Sequence, residues 1–135
     1  MKTDIIADML TRIRNATLVR HQIVRVINTK MTLSIVKLLI REGYIANYEI
    51  INIANNVNHS YLLLTLKYYD KKEQVTITGI KRVSKPGLRI YVKKKKLPTV
   101  LNNLGTAILS TSQGLVTSIQ AKQLGIGGEV ICYIW

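Results

Sequence analysis

Apolar residues near the start of the chain recur at helical spacing. Ile6, Met9, Leu10 and Ile13 stand at i, i+3, i+4 and i+7, which is one face of a helix beginning near Ile5. Asp8, Thr11, Arg12 and Asn15 lie mainly on its other side, and Thr3 or Asp4 suits the cap. Ile23 to Asn28 alternates, with Arg25 between Val24 and Val26, and predicts a strand. Thr29 or Thr32 can start a second helix with Leu33, Val36, Leu39 and Ile40 inward, and Gly43 suits its left-handed end. Tyr44 to Ile53 and Tyr61 to Tyr69 predict paired strands around an Asn-rich loop, Asn55 to Ser60.

Asp70, Lys71 and Lys72 mark a turn, after which mostly short strands follow. Gln74 to Val83 predicts a strand. Lys85, Pro86 and Gly87 predict a tight turn, proline presetting its angle and glycine taking a positive one. Leu88 to Val92 returns as a strand. Leu97 to Leu104 is expected as a short helix, with Pro98 in its first turn and Gly105 after it. Ala107 to Thr111, Leu115 to Thr117 and Glu129 to Ile134 predict strands, the first two joined by Ser112, Gln113 and Gly114. Ser118 to Leu124 predicts a short helix, and Gly125, Gly127 and Gly128 a turn. The expected class is α+β: an N-terminal αβαββ unit (1–69) packed on a β-rich C-terminal unit with short helices (70–135).

Charge changes this picture. Lys plus Arg number 20 against 7 Asp plus Glu in 135 residues, a net +13, and such a field favours a polyanionic partner. The charge is uneven. Gly79 to Lys96 holds eight basic residues (Lys81, Arg82, Lys85, Arg89 and Lys93 to Lys96) and no acid, whereas residues 97–135 hold only Lys122 and Glu129. A basic middle beside a neutral tail rich in Gly, Ser and Thr suits close docking on folded RNA. A few charges attract, and small hydroxyl and glycine groups let backbone approach sugar and base edges. The rival polyanion, a membrane surface, calls for an amphipathic helix with basic residues flanking an exposed apolar face. Here the basic cluster falls on a predicted hairpin, so no membrane partner is expected.

Enzyme chemistry finds little support. His21 and His59 are distant from each other and from Cys132, and no metal-ligand spacing is present, so neither metal nor cofactor is expected. Cys132 sits between Ile131 and Tyr133 and reads as a buried small hydrophobe. Gly125-Ile126-Gly127-Gly128 follows a helix and precedes a strand, the reverse of a dinucleotide loop. No apolar run approaches the ~20 residues of a membrane-spanning helix.

Four stretches resemble one family. Ile6-Ala7-Asp8-Met9-Leu10-Thr11-Arg12-Ile13-Arg14-Asn15 is similar to the opening of small-subunit ribosomal protein number eight. Arg82 to Tyr91 resembles its central turn, Leu109 to Gly114 its Ser-Thr-Ser loop, and Ile126 to Tyr133 its closing strand. The Tyr133-Ile134-Trp135 end resembles plastid members, so a plastid (chloroplast) ribosome is expected, with a bacterial ribosome in the cytoplasm as the competing source. The chain departs from the family after Thr117, where Ser118, Ile119 and Gln120 replace an acidic and a basic residue, and in Asn52 to Ser60 and Lys93 to Lys96.

The resemblance implies a non-enzymatic constituent of the small subunit. It implies binding to a stem with an irregular internal loop in the central domain of small-subunit rRNA, support of that domain's assembly, and neighbouring ribosomal proteins as further partners. Bacterial members also repress translation of their own mRNA, an alternative left open here. The implied RNA-binding residues fall in three groups. Ser110, Thr111 and Ser112 with Gly127, Gly128 and Glu129 are expected to give specificity through hydroxyls, close backbone approach and one carboxylate. Lys85, Pro86, Gly87, Arg89 and Tyr91 are expected at phosphate and sugar. Asp8, Thr11, Arg12, Arg14 and Asn15 on the first helix, with Lys30, complete the set. Lys93 to Lys96 is expected to add long-range attraction.

Overall fold

The computed structural model describes residues 4–53, 60–68, 76–101 and 104–135. Thr3, most of the Asn-rich loop and the turn at Asp70 with its 69/70 boundary lie outside the described residues. The chain divides into two compact units, one spanning Ile5–Ile77 and the other Thr78–Trp135 with Asp4.

The first unit has the expected αβαββ order: α1 (Ile5–Leu18), β1 (Ile23–Ile27), α2 (Lys30–Arg41), β2 (Ile45–Asn52) and β3 (Ser60–Leu66). Its sheet runs β1-β3-β2, antiparallel throughout. In α1, Met9, Leu10 and Ile13 are buried, joined one turn later by Ala16 and Thr17, while Asp8, Thr11, Arg12 and Asn15 are exposed. Thr29 caps α2 in a reciprocal box. Its Oγ1 accepts from the Thr32 N–H (3.1 Å), and the Thr32 hydroxyl accepts from the Thr29 N–H (2.8 Å). Gly43 follows α2 at φ +84°, the left-handed position expected. The inward face of α2 is wider than anticipated: Ile35 and Leu38 are buried beside Val36 and Leu39, while Leu33 and Ile40 are only half-buried.

In the second unit, β8 (Gly128–Ile134) is central. One edge pairs with β6 (Thr106–Thr111), which in turn pairs with β7 (Gly114–Thr117). Its other edge is shared by two short strands, β4 (Ile80–Arg82) along its later half and β5 (Tyr91–Val92) along its beginning. Val100, Ala107, Leu109 and Val130 form a core cluster, with Val83, Val92, Leu97, Tyr133 and Trp135 packed against it. The helix α3 (Ser118–Leu124) lies where expected. It is capped by Thr117 in a box with Gln120 and ended by Gly125 at φ +69°. Gln120, one of the departures from the family pattern, therefore completes a cap.

Three expectations about this unit are corrected. Gln74 and Val75 of the strand foreseen over Gln74 to Val83 lie outside the described residues. Thr76 to Gly79 are not strand and the ladder starts at Ile80, because the N–H groups of both Thr78 and Gly79 converge on the Trp135 carbonyl (2.6 and 3.0 Å), which no regular ladder allows. The helix foreseen over Leu97 to Leu104 is not found in the described residues of that span, 97–101 and 104. A single 3-10 turn at Lys94–Lys96 precedes them and stops at Leu97. Leu97 is extended (φ −64°, ψ 134°) as the ring of Pro98 demands of its predecessor, and Leu101 is left-handed. Gly87 is not among the left-handed glycines. The Lys85–Leu88 hairpin closes through two backbone bonds of 3.0 Å without a positive φ at that position.

Candidate nucleic-acid interface

Strand register brings distant residues into one row. Tyr91 on β5 stands opposite Glu129 on β8, and Glu129 stands opposite Ser110 on β6. Directly paired residues of antiparallel strands point to the same face, so the three side chains form a transverse line. On the reverse face the next pair, Leu109 and Val130, belongs to the core cluster. Buried packing on one side thus fixes which side chains the other side presents. Tyr91 is 69% exposed, which places its ring on the surface and not in the core.

The row continues into the β6–β7 hairpin. Thr111 pairs with Gly114 across a two-residue turn of Ser112 and Gln113, and Gly114 takes φ +98°. The Thr111 hydroxyl donates to the Gly114 carbonyl (2.8 Å) and accepts from the Gln113 N–H (3.2 Å), so it serves the turn itself. Ser112 is exposed at the tip and Ser110 half-buried at the base. Of the three hydroxyls expected at RNA, one is structural and two flank it.

Glu129 has a partner that the sequence did not suggest. Arg89 Nη1 donates to its Oε2 at 3.1 Å, with the carboxylate side chain 15% exposed and the arginine 47%. Arg89 is positioned by its hairpin. The buried hydroxyl of Ser84 accepts from the Ile90 N–H (2.9 Å), and the Ile90 carbonyl accepts from the Val130 N–H (2.9 Å). Opposite charges forty residues apart give no local signal, so only the register reveals the pair. Lys85 is exposed at the mouth of this hairpin, with Pro86 and Gly87 at its tip.

Gly127 and Gly128 need to be small for an internal reason. A Cβ on Gly128 would collide with the Ser110 carbonyl oxygen, and one on Gly127 with the Val92 carbonyl oxygen and Lys93 Cα. The space a Cβ would take at each is already held by the protein's own backbone. By contrast, nothing lies within 4 Å of a Cβ on Gly87.

The remaining expected residues belong to the first unit. Arg12 Nε bonds Asp8 Oδ2 at 2.9 Å, one helical turn apart and both half-exposed. Thr11 and Asn15 are exposed on the same helix, and Arg14 is half-buried. Arg12 and Asn15 also line an open depression of about 300 Å³ with Ala16, Val19, His21 and Val24. Lys30 is exposed at the first position of α2. Asp4 of the second unit pairs with Arg82 (3.1 Å), whose Nη1 also donates to the Ile131 carbonyl (2.7 Å).

Cys132 is fully buried, and burial pushes its thiol up to about 12, with the Arg82 guanidinium opposing only in part. A thiol in that state is neither nucleophile nor metal ligand at neutral pH. Among the described residues no cluster of acidic, His and Cys side chains could hold a metal, and no helix is long and apolar enough to cross a membrane.

The description ribosomal protein S8 matches residues 4–135, and the chain belongs to that family. It is 56% identical over 135 residues to the small ribosomal subunit protein uS8c of Trieres chinensis, covering 100% of both chains. It is 53% identical over the same length to uS8c of Gracilaria tenuistipitata var. liui, again covering 100% of both. It is 52% identical over 133 residues to uS8 of Clostridium kluyveri, covering 98% of each. The chain is a structural protein of the small ribosomal subunit. Its plastid-type relatives support a ribosomal location in the plastid, and the clostridial relative fits the bacterial alternative.

Proposed function

We propose that the chain binds a stem with an irregular internal loop in the central domain of small-subunit rRNA and supports assembly of that domain. The observation that carries this reading is the row of Tyr91, Glu129 and Ser110, continued by Ser112 at the hairpin tip. Hydroxyls there donate to and accept from 2′-OH groups and base edges. The Tyr91 ring is free to stack, and Arg89 reaches either Glu129 or a phosphate. Gly127 and Gly128 act by letting β5, β6 and β8 close up, which sets the spacing of the row. Lys85 and the α1 residues Thr11, Arg12, Arg14 and Asn15, with Asp8 orienting Arg12, contact phosphate and sugar. Lys30 does so from α2. Neighbouring small-subunit proteins complete the partners.

Footprinting the purified protein on small-subunit rRNA tests this directly. Protection should centre on one irregular stem, and Ser112→Ala should weaken that stem more than a plain duplex. Uniform protection, or equal losses on both RNAs, would remove the reading.

A further inference from the structure

We infer that a lysine-lined cleft between the Lys94–Thr99 segment and α3 holds the sugar-phosphate backbone of a single-stranded RNA segment running on from the stem. The inference rests on the RNA-binding reading above and extends it to a separate place. The cleft measures about 390 Å³, within the ~300–1,000 Å³ of ligand-binding pockets. Lys94 and Lys95 line it from one segment and Lys122 from α3, together with Leu97, Pro98 and Ile119. No acidic residue lines it, among those described.

Three like charges facing one cavity repel one another, and a polyanion relieves that repulsion. The particular polyanion follows from the lining and from where its two segments lead. Single-stranded RNA carries both phosphates and flat apolar bases, and the cleft is lined by both ammonium groups and apolar side chains. Thr99 and Gln123 add donors and acceptors suited to base edges. Both segments also run out from the strands of the row. Lys94 follows Tyr91 by three residues, within about 11 Å of backbone, and Lys93 Cα abuts Gly127, two residues before Glu129. On the other side Gly125, the C-cap of α3, leads into the same Gly127-Gly128 segment. An RNA strand leaving the row beside Gly127 therefore meets this cleft next. Lys122, the single basic residue of the neutral tail, gains a role that sequence position alone does not give it.

The test uses the full chain and two RNAs: an irregular small-subunit rRNA stem, bare or extended by about eight single-stranded uridines at either end. The extended RNA should bind the native protein more tightly. Lys94→Gln with Lys122→Gln should remove that increment, a loss of about tenfold for two exposed ion pairs, and lower bare-stem affinity by a much smaller factor. The log–log salt slope on the extended RNA should fall by about 0.7 for each lysine removed. An increment that survives the double substitution, or no increment at all, overturns the inference while leaving the stem reading intact. Failure to bind either RNA overturns the stem reading itself. An octaglutamate peptide that displaces the uridine tail at equal concentration would assign the cleft to an acidic protein segment and overturn the RNA assignment.

Discussion

The polar face of α1 and the row across β5, β8 and β6 are both proposed to meet RNA, yet they arise by different physics. Residues of the α1 face lie three or four apart in sequence, and helix geometry alone puts them together. Asp8 and Arg12 already pair within that face at 2.9 Å, half-exposed, so either changes at little cost to the rest. The strand row is drawn from positions 91, 110 and 129, which meet only once β8 is seated between its neighbours. Its glycines abut backbone oxygens, and its carboxylate is tied to an arginine on another hairpin. The helix face therefore lends itself to attraction without strict geometry, and the strand row to a fixed spacing that selects one RNA shape.

The sharpest way to break this contrast is Gly128→Ala. Its Cβ would press on the Ser110 carbonyl, and separating β6 from β8 should cost roughly 1–3 kcal/mol. Urea unfolding would show that cost, stem affinity should fall with it, and Gly87→Ala, with open space around it, serves as the control expected to leave the unfolding curve unchanged. A native-like unfolding curve for Gly128→Ala would mean that the strands tolerate a looser spacing.

Glu129→Ala should have the next largest effect. It frees Arg89, and filter binding should show about tenfold weaker association with the irregular stem and almost no loss on a plain duplex. Arg12→Ala should do the reverse: a modest loss on both RNAs, a log–log salt slope lower by about 0.9, and a stability change within ~0.5 kcal/mol. An Arg12 effect confined to the irregular stem would erase the distinction drawn between the two regions.

A last effect is absent at neutral pH and confined to alkaline solution. The Cys132 thiol titrates near 12 when folded against an ordinary 9.0. Above pH 9 the unfolded chain loses this proton while the folded chain keeps it. The thiol's contribution is therefore constant below pH 9 and declines as pH rises from 9 toward 12. Denaturation midpoints across that window should fall more steeply for the native protein than for Cys132→Ala. Parallel declines would show that the thiol is not shielded.

Much of the fold was legible in local pattern. The period of Ile6, Met9, Leu10 and Ile13, the Thr29 cap and the Gly43 stop each act within a few residues, where the chain has few choices. The mistakes have the opposite origin. Leu97 to Leu104 has helical composition, but Pro98 holds Leu97 extended and the core claims Val100. The segment before Ile80 is governed by the Trp135 carbonyl, more than fifty residues away in sequence. Motif resemblance located Ser110 to Ser112 and Gly127 to Glu129. It could not show that the two glycines answer to Val92 and Ser110, nor that Glu129 is held by Arg89.

By itself, then, the sequence determined the helices, most of the strands, the excess of positive charge and the family, because these depend on neighbours along the chain or on sums over it. Only the tertiary structure decided which side chains share the exposed line on β5, β8 and β6, why glycine is required beside them, and that Lys122 lines one cleft with Lys94 and Lys95. Those relations are set by strand register and by the space left between backbones, and neither quantity is written in any short stretch of residues.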